Sequence, residues 1–211
     1  MSQGQQVHFL PANDAQRRAS RAYERCEVLF LLGPAGTGKS HAALGLALAD
    51  VLAQGKRKKI LLARPLVACD EEMGFLKGDL AEKLGPWHGA LNDVLPSLTF
   101  TKPEVLLQQD TIELSPLGLM RGRTVGRAVG ILDEAQNCTL PQLRMFLTRI
   151  GEHGKLIVCG DPQQSDVPGN AFSRVVRALH GVPGVGTILF PEEACVRHPL
   201  IPELNRRLKG I

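Results

Sequence analysis

The stretch VLFLLGPAGTGKS, residues 28–40, decides the fold of this chain. Its five apolar residues predict a buried strand, the glycines predict a turn, and the Ala- and Leu-rich segment after Ser40 predicts a helix. The glycines allow the backbone to curl so that successive N–H groups surround phosphate oxygens, helped by the partial positive charge of the helix N-terminus. In the spacing G-x-x-x-x-G-K-S, Lys39 reaches the β- and γ-phosphates and the Ser40 hydroxyl ligates Mg²⁺, whereas an ordinary Gly-rich turn is the alternative interpretation. The residues expected to bind the nucleotide are Gly33, Pro34, Ala35, Gly36, Thr37, Gly38, Lys39 and Ser40.

Length and composition are those of one globular domain, and residues 1–211 fit a single α/β domain better than two. The net charge of +4 is compatible with a nucleic-acid partner, but an aromatic content of 4% leaves little material for base stacking. The five cysteines form no C-x-x-C pair, so neither a zinc ribbon nor a disulfide framework is expected. The polar N-terminus lacks a signal-peptide core and no apolar stretch is long enough to span a bilayer, so we expect a cytoplasmic protein without a membrane partner.

Strands and helices alternate along the rest of the chain. Further strands are expected at 60–63, 111–114, 128–132, 155–159 and 187–190, with helices at 13–25, 141–150, 171–179 and 203–209. This alternation predicts a mostly parallel sheet with helices on both faces. Repeated Gly and Pro interrupt residues 66–110, which we expect to be an irregular insertion, and such insertions are more often functional than idle.

Two polar turns that follow predicted strands carry candidate catalytic residues. In ILDEAQ, residues 131–136, Asp133 is expected to hold Mg²⁺ opposite Ser40, and Glu134 to polarise the attacking water. A helix N-terminus also favours acidic side chains and explains such a pair without any function. In VCGDPQQ, residues 158–164, Gln163 and Gln164 are placed to reach the γ-phosphate or the water, although Gly-Asp-Pro is also a common turn.

The three motifs occur in the order of motifs I, II and III of superfamily 1 helicases, and the chain resembles the PhoH-like ATPase family more closely still. Other segments that resemble this family are Arg64–Pro65, Gly74–Leu80, Met120–Thr124, Met145–Arg149 and Val196–His198. The resemblance covers residues 13–207, and the short length is similar to the compact versions of the family that phages carry. It departs from the family at Ser40, where threonine is commoner, and in the run before Gly74.

The resemblance implies a RecA-like P-loop NTPase, an α/β protein that binds ATP and Mg²⁺ and hydrolyses ATP. It further implies a homo-oligomer, a hexameric ring, that acts on RNA as a helicase or translocase. It places Gln16 where related helicases carry an adenine-reading glutamine, with an exposed helical glutamine as the alternative.

A single RecA-like domain lacks the second domain that supplies transition-state arginines in monomeric helicases. We therefore expect an arginine from a neighbouring subunit, a contribution worth about 10³–10⁵ in rate for arginine fingers. The candidates are Arg121, Arg123, Arg149 and Arg197, and a surface ion pair is the alternative for each.

Three other functions remain open at this point. The first is an ATP-driven conformational switch or assembly factor in which the nucleotide only sets partner binding. The second is a P-loop kinase, which Glu134 disfavours because a water-activating carboxylate would waste ATP. The third is a nuclease, for which the sequence offers no second cluster of carboxylates.

Overall fold

The computed structural model describes residues 7–65, 91–164, 170–198 and 200–208. The helices that lie wholly in these ranges are α1 (Asp14–Arg25), α2 (Lys39–Leu48), α3 (Pro103–Gln108), α4 (Leu140–Leu147), α5 (Ala171–Ala178) and α6 (Ile201–Leu208), and residues 91–94 are helical as well. The strands are β1 (Val28–Leu32), β2 (Lys59–Arg64), β3 (Ile112–Pro116), β4 (Ala128–Leu132), β5 (Lys155–Gly160) and β6 (Val185–Leu189). Short 3₁₀ turns cover Leu95–Ser97, Leu117–Met120, Ala135–Asn137 and Glu192–Ala194, and a π-helical turn at Ala49–Ala53 extends α2. None of the helices within the described ranges is long and apolar enough to cross a membrane.

The six strands form one parallel sheet in the order β3-β2-β4-β5-β1-β6, which confirms the expected sheet type. Strand β5 lies between β1, which leads into the Gly-rich loop, and β4, which leads into Asp133. Because all strands run in the same direction, their carboxyl ends meet at one edge of the sheet. That edge collects the loops that follow β1, β2, β4 and β5, as is usual for ligand sites in open α/β sheets.

The core has two layers, one on each face of the sheet, which confirms helices on both sides. Leu29 and Leu31 of β1 pack in the layer that contains α1 and α2. The alternate residue Phe30 packs in the other layer, where Phe146 of α4 and Phe172 of α5 are fully buried. Both faces of β1 are therefore apolar, and this explains why the strand appears in the sequence as a continuous hydrophobic run.

The structure corrects parts of the expected element pattern. Residues 66–90, including the Gly74–Leu80 segment, lie outside the described residues. Within 91–110 the expectation of an irregular segment is wrong at α3, where Pro103 takes the first helical position and needs no N–H partner there. Leu106 of this helix is fully buried in the layer of α1 and α2.

Several element boundaries differ from the predicted ones, and for two of them the strand pairing gives the reason. Helix α4 ends at Leu147 rather than at 150 because Ile150 already pairs with Val125 in a parallel bridge. Strand β6 begins two residues earlier than expected because Val185 pairs with Val28, the first residue of β1.

Candidate active site

The loop Gly33–Ser40 joins the carboxyl end of β1 to the first turn of α2. Gly38 lies in the left-handed region at φ 86°, a backbone conformation that favours glycine. A Cβ at this position would also collide with the side-chain amide of Gln16. Lys39 Nζ donates to the Pro34 carbonyl at 2.7 Å, and Thr37 Oγ1 donates to the same carbonyl at 2.8 Å. Two side chains of the segment thus close the loop through one carbonyl.

Asp133 lies between two partners at the carboxyl edge of the sheet. Ser40 Oγ donates to Asp133 Oδ1 at 2.9 Å, and Arg64 Nη2 donates to Asp133 Oδ2 at 2.6 Å. The Asp133 side chain is only 5% exposed, so these two groups take the place of water around its oxygens. Strand register places Arg64 beside Asp133. Ala63 of β2 pairs with Leu132 of β4, and Arg64 and Asp133 are the residues that follow this pair.

A hydroxyl and a carboxylate oxygen at this separation fit Mg²⁺, a hard cation that prefers oxygen ligands. No group of three or more His, Cys, Asp or Glu side chains in residues 7–65, 91–164, 170–198 and 200–208 could form a metal site from protein ligands alone. A site with one or two protein ligands and substrate phosphates is the usual arrangement for Mg²⁺. The residues that would hold the ion are therefore Ser40 and Asp133, the two predicted from the sequence.

Glu134 follows Asp133 in the left-handed conformation, at φ 55°, which is uncommon for a residue with a side chain. Its Oε2 accepts a hydrogen bond from Gln136 Nε2 at 2.7 Å. The other end of the same amide, Gln136 Oε1, accepts a hydrogen bond from the backbone N–H of Asp161 at 3.0 Å. The Glu134 turn and the loop after β5 are thus connected through one side chain.

The loop after β5 is tied to the P-loop as well. Gly33 N–H donates to the Gly160 carbonyl at 3.1 Å, where β1 and β5 end side by side. Asp161 is buried, and its Oδ1 accepts the N–H of Gln163 at 2.9 Å. The loop is therefore held from both sides at the position where the sequence places Gln163 and Gln164.

A cavity of about 760 Å³ opens over these residues. Of the residues predicted for the site, it is lined by Ala35, Gly36, Gly38, Lys39, Ser40, Gln16, Asp133, Glu134, Gln164 and Arg197. Its volume is within the range of small-molecule sites. The predicted residues that do not line it are Gly33, Pro34, Thr37, Gln163, Arg121, Arg123 and Arg149.

Gln16 is fully buried, so the alternative of an exposed helical glutamine is wrong. Its Oε1 accepts the Ala12 N–H at 2.7 Å and its Nε2 donates to the Gly38 carbonyl at 3.2 Å. Asn13, the N-cap of α1, accepts the Gln16 N–H and also donates through Nδ2 to the carbonyls of Thr37 and Ala194. The start of α1 therefore braces the P-loop, and adenine reading by Gln16 stays a prediction.

The four candidate arginines occupy different places. Arg197 lines the cavity of its own chain, held there by the neighbouring Val196 N–H, which donates to the Gly36 carbonyl at 2.9 Å. Arg149 lies at the opposite, amino edge of the sheet, where its carbonyl accepts the N–H of Val125. Arg121 is exposed and outside the cavity.

Arg123 is ion-paired with Glu113 of β3. Hydrogen bonds from Arg123 and then from Lys59 lower the pKa of Glu113 to about 2. The structure therefore places one of the four arginines in the same-chain cavity, and action in trans by the other three stays a prediction.

Arg64 and Gln136 have no predicted role, and both contact the predicted acidic residues. The position of Arg64 could have been predicted. It follows a predicted parallel strand directly, so it lies at the same edge of the sheet as Asp133. Gln136 has no comparable signal, since its bond to Asp161 joins two loops that are 25 residues apart.

The fold and the site define this chain as a P-loop NTPase of the RecA-like α/β class. The chain belongs to the PhoH-like protein family, whose pattern matches residues 8–208. It is 42% identical over 196 residues to a PhoH-like protein of Bacillus subtilis (strain 168), covering 90% of this chain and 60% of that protein. It is 39% identical over 198 residues to protein PhoH of Escherichia coli (strain K12), covering 91% of this chain and 56% of that protein. The chain thus spans less than two thirds of the length of these relatives.

Among solved structures, the chain is similar to the large terminase of a thermophilic bacteriophage, determined in complex with ADP. The TM-score is 0.56 at 13% identity, over 93% of this chain and 50% of that one. At this identity the likeness establishes a shared fold, and it confirms the RecA-like class expected from the sequence.

Proposed function

We propose that this protein is a Mg²⁺-dependent ATPase that acts on single-stranded RNA as a helicase or translocase, assembled as a homo-oligomeric, hexameric ring. The observation that carries the ATPase is the 2.9 Å contact between Ser40 and Asp133, with Glu134 facing the same cavity one residue later. A P-loop with one carboxylate is sufficient to hold a nucleotide. A second, accessible carboxylate adds a group that activates water.

Binding of ATP is assigned to the P-loop. The backbone N–H groups of residues 35–40 and the ammonium of Lys39 hold the β- and γ-phosphates, after Lys39 exchanges the Pro34 carbonyl for a phosphate oxygen. Ser40 and Asp133 hold Mg²⁺, which when bound neutralises the charge that develops on the phosphate oxygens. Arg64 keeps Asp133 oriented from the opposite side.

Hydrolysis is assigned to the residues on the far side of the cavity. Glu134 orients the attacking water and accepts its proton, while Gln164 and the neighbouring Gln163 sense the γ-phosphate from the loop after β5. Arg197 adds positive charge at the cavity of its own chain. Its position supports a role in cis rather than in trans.

Of the remaining arginines, Arg121 is the one we propose to act in a neighbouring subunit. Arg123 is held by Glu113, and Arg149 Nε donates to the Met145 carbonyl at 3.3 Å, so both already have partners in their own chain. Arg121 is exposed. RNA as substrate rests on the helicase-like order of the motifs and on the positive net charge of +4.

The substitution Glu134→Gln tests the ATPase. It removes the water-activating carboxylate but keeps the size of the side chain, so we expect ATP binding within about threefold of wild type and hydrolysis slower by about 10²–10⁴-fold. Binding is measured with a fluorescent ATP analogue, and hydrolysis by phosphate release. Glu104→Gln, the same change on an exposed residue of α3, is the matched control and should leave both unchanged. Normal turnover of Glu134→Gln would show that this carboxylate does not activate water.

The RNA and oligomer parts have a separate test. Steady-state ATP hydrolysis is measured with and without single-stranded RNA, together with the solution mass by light scattering. We expect RNA to raise the rate, and we expect a mass of six chains. A rate that RNA and DNA leave unchanged contradicts the helicase and favours the conformational switch, whereas phosphate transferred to an acceptor other than water identifies a kinase.

A further inference from the structure

We propose that Gln136 is a positioning residue that holds the Glu134 carboxylate in the orientation needed to activate water. It does so by joining Glu134 to the loop after β5. The proposal rests on the proposed role of Glu134, and its experiment is arranged so that the two can fail separately.

Both ends of the Gln136 amide are engaged. The Nε2 group donates to Glu134 Oε2 at 2.7 Å, and Oε1 accepts the Asp161 N–H at 3.0 Å. Gln136 is 6% exposed, and its bond to the Asp161 N–H is buried, so little water competes for that end of the amide. Because the donor and the acceptor belong to a single planar amide, the position of Glu134 is fixed relative to the backbone of Asp161.

Glu134 needs such a partner. It is exposed on the cavity side and its backbone is left-handed at φ 55°, an uncommon conformation that its surroundings must maintain. A glutamate side chain has three rotatable bonds, and an error of about 1 Å in a catalytic group costs on the order of 100-fold in rate. The amide of Gln136 restricts that freedom at the carboxylate itself.

The far end of the connection is tied to the P-loop. Asp161 follows Gly160, whose carbonyl accepts the N–H of Gly33 at the start of the P-loop. A Cβ on Gly160 would lie 3.0 Å from Gln136 Oε1 and 2.6 Å from the ring of Phe172. Gly160 therefore provides the space in which the Gln136 amide lies. Gln136 thereby fixes Glu134 in the same frame as the P-loop.

Two substitutions separate positioning from packing. Gln136→Glu keeps the volume and the acceptor for the Asp161 N–H, but it replaces the donor to Glu134 with a second carboxylate. Gln136→Met keeps the length and removes both bonds. Gln108→Glu, an exposed residue of α3, adds the same charge away from the site and is the control. Each variant is assayed for kcat and KM for ATP, for the affinity of a fluorescent non-hydrolysable ATP analogue, and for its melting temperature.

We expect kcat to fall by about 10- to 100-fold in both Gln136 variants, with KM and analogue affinity within about threefold of wild type and Gln108→Glu unchanged. If Gln136→Glu keeps the wild-type kcat, the donor to Glu134 is irrelevant and the proposal is overturned. Loss of analogue affinity or of cooperative melting in both variants would assign Gln136 to the fold and would also overturn it. If Glu134→Gln hydrolyses ATP at the wild-type rate, the proposed role of Glu134 in activating water is wrong, whatever the rates of the Gln136 variants.

Discussion

The contact between Arg64 and Asp133 yields a prediction whose size follows from the structure. Arg64→Met removes the guanidinium that donates to Asp133 Oδ2. Of the two side-chain hydrogen bonds to the buried Asp133 carboxylate, the one from Ser40 then remains. Breaking a buried ion pair costs about 3–5 kcal/mol, and the lower figure applies because the Arg64 side chain is 22% exposed. The substitution also removes Arg64 Nε, a buried donor that has no acceptor among the residues that the structure describes, which returns about 1 kcal/mol.

We therefore expect a net loss of about 2 kcal/mol in the free energy of unfolding of the nucleotide-free protein. For a chain of this size that corresponds to a decrease of about 4–8 °C in melting temperature. Differential scanning calorimetry without nucleotide and without Mg²⁺ measures it. Arg123→Met is the matched control, because Glu113 is more exposed and keeps Lys59, so its loss should be under about 1 kcal/mol.

For the same variant we expect an effect of opposite sign on the melting temperature when nucleotide is added. In the proposed mode of binding, Mg²⁺ with ADP supplies positive charge beside Asp133, so the increase in melting temperature on adding Mg·ADP should be larger in Arg64→Met than in wild type. A nucleotide-free melting temperature within about 1 °C of wild type, or an equal loss in Arg123→Met, would refute the assignment of Arg64 as the partner that stabilises Asp133.

Two further predictions concern single side chains. Because Arg123 and Lys59 lower the pKa of Glu113 from its ordinary 4.5 to about 2, Glu113 adds stability above pH 4.5 that is lost as the pH falls towards 2. Urea midpoints measured at pH 6 and pH 3 should therefore differ less in Glu113→Gln than in wild type, and an equal difference would contradict this. Burial raises the pKa of the Cys138 thiol to about 12, so iodoacetamide at pH 8 should alkylate the half-buried Cys195 of the folded protein well before Cys138. Peptide mass spectrometry measures both rates, and equal rates in the folded protein would refute the expectation.

The fold was largely predictable because its signals are local. Each buried strand is a short apolar run bounded by turn residues, and alternation with helices implies a parallel sheet. The carboxyl ends of such strands share one edge, so Ser40, Asp133 and Gln164 could be expected to converge from their order alone. Helix α3 was missed because Leu106 and its neighbours form one short turn, and burial in the core rather than a long periodic pattern stabilises it.

The sequence alone located the P-loop and the two acidic residues that follow β4, and it indicated the P-loop NTPase class, since each depends on residue types at fixed local spacing. Only the tertiary structure decided which side chains restrain them. Strand register brings Arg64 to Asp133, the adjacent ends of β4 and β5 bring Gln136 to Asp161, and the fold of the C-terminal segment brings Arg197 into the cavity of its own chain. These contacts join residues far apart in the chain, and their geometry depends on the packing of the whole sheet.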